Sequence, residues 1–191
     1  MNSEWNSKAS PIYINIDDEH HFYKLCSELQ QYLNAHLPCH NNELVIVCIG
    51  TDRATGDSLG PLVGYKLKDL HEDKVTLYGT LDEPVHAKNL EETLQHIVKH
   101  HSNALVLAID ACLGAAHNVG CLTLGEGSIT PGAGVKKELP PVGHLHITGI
   151  VNFSSLMNMV VLQNTRLSLV MQMADTISSC LKHCLWRYYH L

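Results

Sequence analysis

Two stretches of the chain are apolar at every position. They cover residues 44–49 and 104–109, and each is followed at once by Gly or Asp. A strand whose two faces are both buried has this pattern, which is typical of the central strands of a parallel sheet. The two runs therefore predict two central, parallel strands.

Other segments repeat apolar residues every three or four positions, the spacing of a helix with one buried face. Helices are predicted from Asp17 to a stop at Pro38, and over residues 59–70, 90–98, 154–163 and 165–187. Asn89 and Asn164 precede two of these helices and are predicted to cap them. Shorter strands are predicted at residues 75–80, 120–125 and 145–151, with a Gly- and Pro-rich loop at 127–143. Because strands and helices alternate, the sequence predicts an α/β fold, a three-layer sandwich with a predominantly parallel central sheet.

The length of the chain favours a single domain. It has 191 residues, of which 45% are hydrophobic and 17% charged, the balance of an ordinary globular domain rather than a disordered chain. Residues 1–10 show no patterning and are predicted to be a flexible N-terminal arm. Residues 11–191 are predicted to form one α/β domain.

Charge and cysteine content narrow the choice of partners and compartment. The formal net charge of −6 argues against a broad surface that binds nucleic-acid phosphates. No apolar run approaches the ~20 residues of a membrane span, and the N-terminus lacks the basic and apolar regions of a secretory signal. Seven cysteines without a CxxC pair suit a reducing compartment better than a disulfide framework. We therefore expect a cytoplasmic protein with neither nucleic-acid nor membrane partners, its oligomeric state left open.

The candidate chemistry lies in two acidic loops, one after each central strand. Asp57 follows the first strand and Asp110 follows the second. If the strand order begins 2-1-3, the two strands are neighbours, and both acids face the crevice outside their carboxyl ends. Two carboxyls so placed share a proton, and one can activate water while the other acts as an acid. Taken singly, Asp57 has the simpler interpretation of a helix N-cap, with Ser58 as its rival, and Asp110 that of a strand-end loop residue.

Other polar residues offer substrate contacts or metal ligands. Asp52 is a third acid of the first loop, and is either solvated or a substrate contact. The segment 130–139 could present backbone N–H groups to a substrate carbonyl. His144 and His146 alternate on one strand face, and either join the acids around a metal or are half-exposed strand residues. Two further groups are attributed to packing: the buried thiol of Cys112, and a shared helix face formed by Cys180, His183 and Cys184.

The order of these motifs resembles a known family. The sequence Gly-Thr-Asp-Arg-x-x-Gly-Asp-Ser-Leu-Gly-Pro, then Ile-Asp-Ala, then Pro-Gly-Ala-Gly-Val-Lys-Lys-Glu-Leu is similar to the YyaC family of sporulation proteins, described as spore proteases. The likeness runs from about residue 44 to residue 177. More distantly, the chain resembles the germination protease of spore-forming bacteria and the hydrogenase-maturation endopeptidases. This resemblance implies a phosphorylase/hydrolase-like α/β fold.

The resemblance also implies roles for particular residues. The catalytic acids of the germination protease lie in an Asp-x-Leu-Gly-Pro segment and an Ile-Asp-Ala segment, matched here by Asp57 and Asp110. Thr130 stands where that family commonly has His, and no propeptide is evident. We expect the glycine-containing loops to hold an extended peptide substrate, with contacts from Gly50, Thr51, Asp52, Gly132, Gly134 and Lys136.

The sequence thus predicts a spore endopeptidase with an aspartate dyad and no cofactor. Its expected partner is a protein or peptide, with the basic, DNA-coating small acid-soluble spore proteins as candidates. Two alternatives stay open. One is a non-catalytic peptide-binding sporulation protein, because a fold does not establish an activity. The other is a metal-dependent processing peptidase that uses the same acids with His144 or His146.

Overall fold

The computed structural model describes residues 10–132 and 139–191. Its strands are β1 (Ile12–Asn15), β2 (Leu44–Cys48), β3 (Val75–Tyr78), β4 (Leu105–Gly114), β5 (Cys121–Glu126) and β6 (Leu145–Phe153). Its helices are α1 (His21–His36), α2 (Leu59–Leu67), α3 (Leu90–His100), α4 (Asn158–Gln163) and α5 (Leu167–His190). Short 3₁₀ helices lie at Leu37–His40, Thr55–Ser58 and Ala116–Asn118.

The six strands form one mixed sheet in the order β1-β5-β6-β4-β2-β3. Strands β3, β2, β4 and β6 run parallel, whereas β5 and β1 are antiparallel additions at one edge. The predicted 2-1-3 start is confirmed, since β2 lies between β3 and β4. The predicted α/β fold with a predominantly parallel sheet is confirmed as well.

Helices cover both faces of the sheet, and β2 shows why its sequence is apolar throughout. Leu44, Ile46 and Cys48 pack into a core with α1, α2 and α5. The alternating positions Val45 and Val47 pack into a second core with α3. Because successive side chains of a strand point to opposite faces, a strand between two helical layers must be apolar at every position.

Strand β1 was not predicted. It pairs antiparallel with β5 at the sheet edge. Its buried Ile14 and exposed Tyr13 (55% exposed) follow the alternation of an edge strand with one solvated face. The run is only four residues long, which is too short for periodicity to separate it from a loop.

Helix starts also differ from prediction because side chains build turns ahead of them. Helix α1 begins at His21 rather than Asp17, since the His20 N–H donates to Asp18 Oδ1 (2.8 Å) in a turn. Helix α4 begins at Asn158 rather than at residue 154, and Asn158 Oδ1 accepts the Ser155 N–H (2.9 Å). Ser, Asp and Asn favour such local bonds over the helix interior.

The two predicted asparagine caps do not act as caps. Asn89 precedes α3 as expected, but its Oδ1 accepts the His86 N–H (2.8 Å) and its Nδ2 donates to the Pro84 carbonyl (3.0 Å). Asn164 instead ends α4, where its Nδ2 donates to the Val160 carbonyl (2.7 Å). The prediction that Asn164 caps α5 is therefore wrong.

In the described parts of the chain, no helix is both long and apolar enough to span a membrane. The predicted N-terminal arm falls almost wholly on residues 1–9, outside the described residues.

Candidate active site

Asp57 lies in the 3₁₀ turn that joins β2 to α2. The turn is closed by the Asp57 N–H, which donates to the Ala54 carbonyl (3.0 Å), and by the Ser58 hydroxyl, which donates to the Thr55 carbonyl (2.7 Å). The Thr51 N–H, in the loop before the turn, lies near enough to the Asp57 carboxyl to lower its pKa. Ser58 makes no side-chain cap to α2. The carboxyl of Asp57 is therefore turned toward the loop after β2 rather than used as a helix cap.

Gly50 allows this loop to pass close to Asp57. Its φ of +140° is unfavourable for residues with a side chain, and a Cβ there would overlap the Asp57 carbonyl oxygen. That carbonyl accepts the Thr51 N–H (3.0 Å), while the Gly50 N–H donates to the Val85 carbonyl (2.8 Å). Both N–H groups are thus committed within the protein, so they do not polarise a substrate carbonyl.

Asp110 lies inside β4 and not after it, which corrects the predicted strand end at residue 109. The β2–β4 ladder ends at the pair Cys48–Ile109, but β6 continues to pair with β4 and places Thr148 opposite Asp110. The Asp110 side chain is buried (7% exposed), and its Oδ1 accepts the Ala111 N–H (2.8 Å). Asp110 thus sits where β2 leaves the sheet and opens a space beside β4.

Both acids line one cleft of about 330 Å³ at this opening. Its walls come from the loop after β2, residues 86–88, residues 131, 132 and 139, and α4. Helix α4 is fixed against the Asp57 turn, because Leu162 packs so closely on Gly56 that a Cβ there would lie 2.8 Å from Leu162 Cδ2. Most of the lining is apolar, so the two carboxyls face a poorly hydrated space.

Burial raises the pKa of both carboxyls, but by different amounts. The pKa of Asp57 is raised to about 6 by burial, against the opposing effects of the Thr51 N–H and of His86. The pKa of Asp110 is raised well above its usual value by burial and then by the charge of Asp57, against the Ala111 N–H. Asp57 is therefore the acid of the pair that ionises more readily, because burial and the Asp57 charge both favour the protonated form of Asp110.

Comparison with known proteins places the chain in a family. Residues 13–180 match the family model described as "Protein of unknown function (DUF1256)". The chain belongs to the DUF1256 family. It is 56% identical over 135 residues to "Uncharacterized protein YyaC" of Bacillus subtilis (strain 168). That alignment covers 71% of this chain and 66% of the relative, slightly under two thirds of the relative's length. The resemblance to YyaC inferred from the motifs is confirmed.

A solved structure shares the fold of this DUF1256 chain. It is the [NiFe] hydrogenase maturation protease HycI from Thermococcus kodakarensis KOD1, with a TM-score of 0.53 and 18% sequence identity. The superposition covers 75% of this chain and 92% of HycI. Identity at this level establishes the fold alone. The expected likeness in fold to the maturation endopeptidases is confirmed.

The structure brings together some of the residues predicted to contact substrate. Gly50, Thr51 and Gly132 line the cleft with the two acids. Asp52, which was also expected to contact substrate, is exposed and does not belong to that lining. This position agrees with its other interpretation, a solvated loop residue. Gly134 and Lys136 lie outside the described residues.

Sequence reasoning missed His86, which shares the cleft with Asp57 and Asp110 of this DUF1256 chain. Its Nδ1 is buried without a hydrogen-bond partner, and its charge lowers the pKa of Asp57. It reaches the cleft because the loop after β3 runs beside β2, as shown by a parallel bridge between Ile49 and Val85. Arg53 and Lys88 also line the cleft and were not assigned to it.

The two histidines considered as metal ligands lie elsewhere. His144 Nδ1 accepts the Val106 N–H (2.9 Å), and His146 Nδ1 pairs with the Gly127 carbonyl (3.0 Å). Neither residue belongs to the cleft lining. Over residues 10–132 and 139–191, Asp57, Asp110 and His86 do not form a cluster whose three ligand atoms all lie within 4.8 Å of one another.

Proposed function

We propose that the protein is an endopeptidase in which Asp57 and Asp110 jointly activate a water molecule. The observation that carries this proposal is the pairing of a half-buried carboxyl, Asp57, with a buried one, Asp110, both with raised pKa values, in one cleft. Perturbed acids in a cleft are a common mark of catalytic sites. The HycI-like fold is consistent with peptidase chemistry.

The proposed reaction uses the pair in two different protonation states. Ionised Asp57 takes a proton from water as the oxygen attacks the peptide carbonyl carbon. Protonated Asp110 then gives its proton to the leaving nitrogen as the C–N bond breaks, which leaves a carboxylic acid and a free amine. The apolar walls strengthen these electrostatic effects because they exclude water.

The proposed substrate is an extended protein segment, with small acid-soluble spore proteins as the first candidates. Apolar surface from α4 and the cations of Arg53 and Lys88 line the cleft beside the dyad. When the dyad holds one proton, it carries one negative charge beside the two cations, so the described lining has no net negative charge. We therefore expect cleavage within apolar segments that carry acidic rather than basic side chains near the scissile bond.

The pH dependence of cleavage tests this assignment. With purified protein and such peptides, kcat/KM is expected to rise with pH through an apparent pKa near 6, because Asp57 must be ionised to accept the proton of water. It should fall again where Asp110 loses its proton. The matched control is Asp52→Asn, an exposed acid of the same loop, which should leave the profile unchanged. Peptide capture without cleavage at every pH would instead support the non-catalytic alternative.

His86 provides a second test of the same electrostatic arrangement. Because the charge of His86 lowers the pKa of Asp57, His86→Phe should move the acidic limb of the profile to higher pH, by less than about 1 unit. Phe keeps the ring volume and leaves no unpartnered buried nitrogen. The control is His146→Phe, which alters a histidine outside the cleft. An acidic limb that stays at the same pH would show that His86 does not affect the pKa of Asp57.

A further inference from the structure

Three thiols meet in the core between α1 and α5, away from the proposed peptidase cleft. Cys26 lies on α1, and Cys180 and Cys184 lie one turn apart on the same face of α5. Cys180 and Cys184 are fully buried, and Cys26 is 8% exposed. None of the three lines the cleft, so the proposed reaction gives them no role.

The spacing of the three sulfurs suits a single bound ion. All lie within 4.8 Å of one another, and the Cys180–Cys184 Sγ separation is 3.9 Å. Three thiolates arranged in a plane around a central ion at ~2.3 Å would have their sulfurs about 4.0 Å apart. In the described part of the chain, no other group of three His, Cys, Asp or Glu side chains brings its ligand atoms this close.

The three thiols also affect one another's ionisation. Hydrogen bonds from the Cys180 and Cys184 thiols lower the pKa of Cys26. Hydrogen bonds to Cys184 and Cys26, together with burial, raise the pKa of Cys180, and the pKa of Cys184 is raised as well. The spacing of the three sulfurs, and not their pKa values, therefore points to a shared ion.

We propose that Cys26, Cys180 and Cys184 form a binding site for a soft, thiophilic metal ion, with Cu(I) as the ion of best fit. Thiolates select soft ions. Zn²⁺ fits less well, because closed structural zinc sites have four ligands and the described cluster offers three. Binding replaces the thiol protons by the ion, so affinity rises with pH.

Such an ion would join α1 to α5 across the core. It binds the folded chain with both helices in place, and it therefore stabilises the folded state. The site is independent of the proposed dyad, so its failure and that of the peptidase assignment can be told apart.

The test is anaerobic titration of the full-length protein with Cu(I) supplied as its acetonitrile complex. A thiolate-to-copper charge-transfer band should grow to an end point of one ion per chain, and the unfolding temperature should rise. Cys26→Ser and Cys184→Ser should each abolish the band. Cys39→Ser, at an exposed thiol, and Cys48→Ser, at the isolated buried thiol, are the matched controls and should keep it.

If Cys26→Ser and Cys184→Ser fold poorly, the wild-type protein and Cys39→Ser still test the site. Loss of the band in Cys39→Ser would assign the copper to the exposed thiol and overturn the site. An unfolding temperature of the wild type that copper leaves unchanged would also overturn it, because a site that spans α1 and α5 must stabilise the fold. The same titration is carried out with Zn²⁺. Tighter binding of Zn²⁺ than of Cu(I) would contradict a three-ligand site.

Discussion

Replacing Asp110 by Asn is expected to lower kcat/KM for peptide cleavage about 10³-fold, within the range of a lost general acid. The amide keeps the shape of the carboxyl, and its oxygen can still accept the Ala111 N–H. What it lacks is the proton that Asp110 holds because burial and the Asp57 charge raise its pKa. Asp57→Asn should have an effect of similar size, since it removes the base. Steady-state cleavage assays on both variants measure the loss.

The same substitutions should stabilise the protein above pH 6, which distinguishes loss of chemistry from loss of fold. The pKa of Asp57 rises from 3.8 to about 6 on folding, so the folded state binds the proton more tightly than the unfolded state does. The protonated carboxyl of Asp57 contributes its full stabilisation of the folded state below pH 4. This contribution is lost as pH rises toward and through 6, which lowers the unfolding free energy by about 3 kcal/mol. Asp57→Asn carries no such cost. It should exceed the wild type in unfolding free energy at pH 8 and match it near pH 3.

Asp52→Asn is the control for both readouts, because that side chain is exposed in the same loop. It should retain the activity of the wild type, and its stability should show the same pH dependence as that of the wild type, because Asp57 is intact. Wild-type cleavage rates in both dyad variants would remove the basis of the proposed mechanism. Variants that are inactive and also less stable at pH 8 would show instead that the acids support the fold.

The site could be located from the sequence because its two strands have an unambiguous pattern. Residues 44–49 and 104–109 are apolar throughout, which placed both strands in the centre of the sheet. The 2-1-3 order was a condition of the prediction, and the sheet has it, which brings Asp57 and Asp110 to one opening. Their catalytic role remains a proposal, supported by this placement and by their pKa values.

The parts that could not be predicted depend on partners distant in sequence. Strand β4 continues to Gly114 only because β6 offers it a partner there, and nothing within residues 110–114 indicates that. His86 belongs to the cleft because its loop runs beside Ile49, a contact that no local pattern reveals. The three core cysteines are similar: Cys180 and Cys184 share a helix face in sequence, but Cys26 joins them only when α1 packs on α5.

Gly60→Ala is expected to destabilise the protein by about 3 kcal/mol or more, although it replaces Gly by a better helix former. Helix propensity alone would favour Ala by ~1 kcal/mol. The packing of α2 on β2 opposes it: a Cβ at Gly60 would overlap the Ile49 carbonyl oxygen and lie 2.6 Å from the Ile49 nitrogen. That nitrogen donates to the Ile109 carbonyl (2.7 Å), so the strand cannot move aside without breaking the β2–β4 contact. The steric term should therefore outweigh the propensity term.

Chemical denaturation of Gly60→Ala beside Gly114→Ala measures this difference. At Gly114 the added methyl would lie 3.0 Å from Cγ2 of Ile150. Unlike the backbone atoms that face Gly60, this side chain can shift to make room. The control should therefore change stability by less than about 1 kcal/mol. Because α2 begins directly after the Asp57 turn, Gly60→Ala should also displace the dyad and reduce cleavage in whatever fraction still folds. A Gly60→Ala protein as stable as the wild type would mean that α2 does not pack this closely on β2. The placement of Asp57 beside Asp110 depends on that contact.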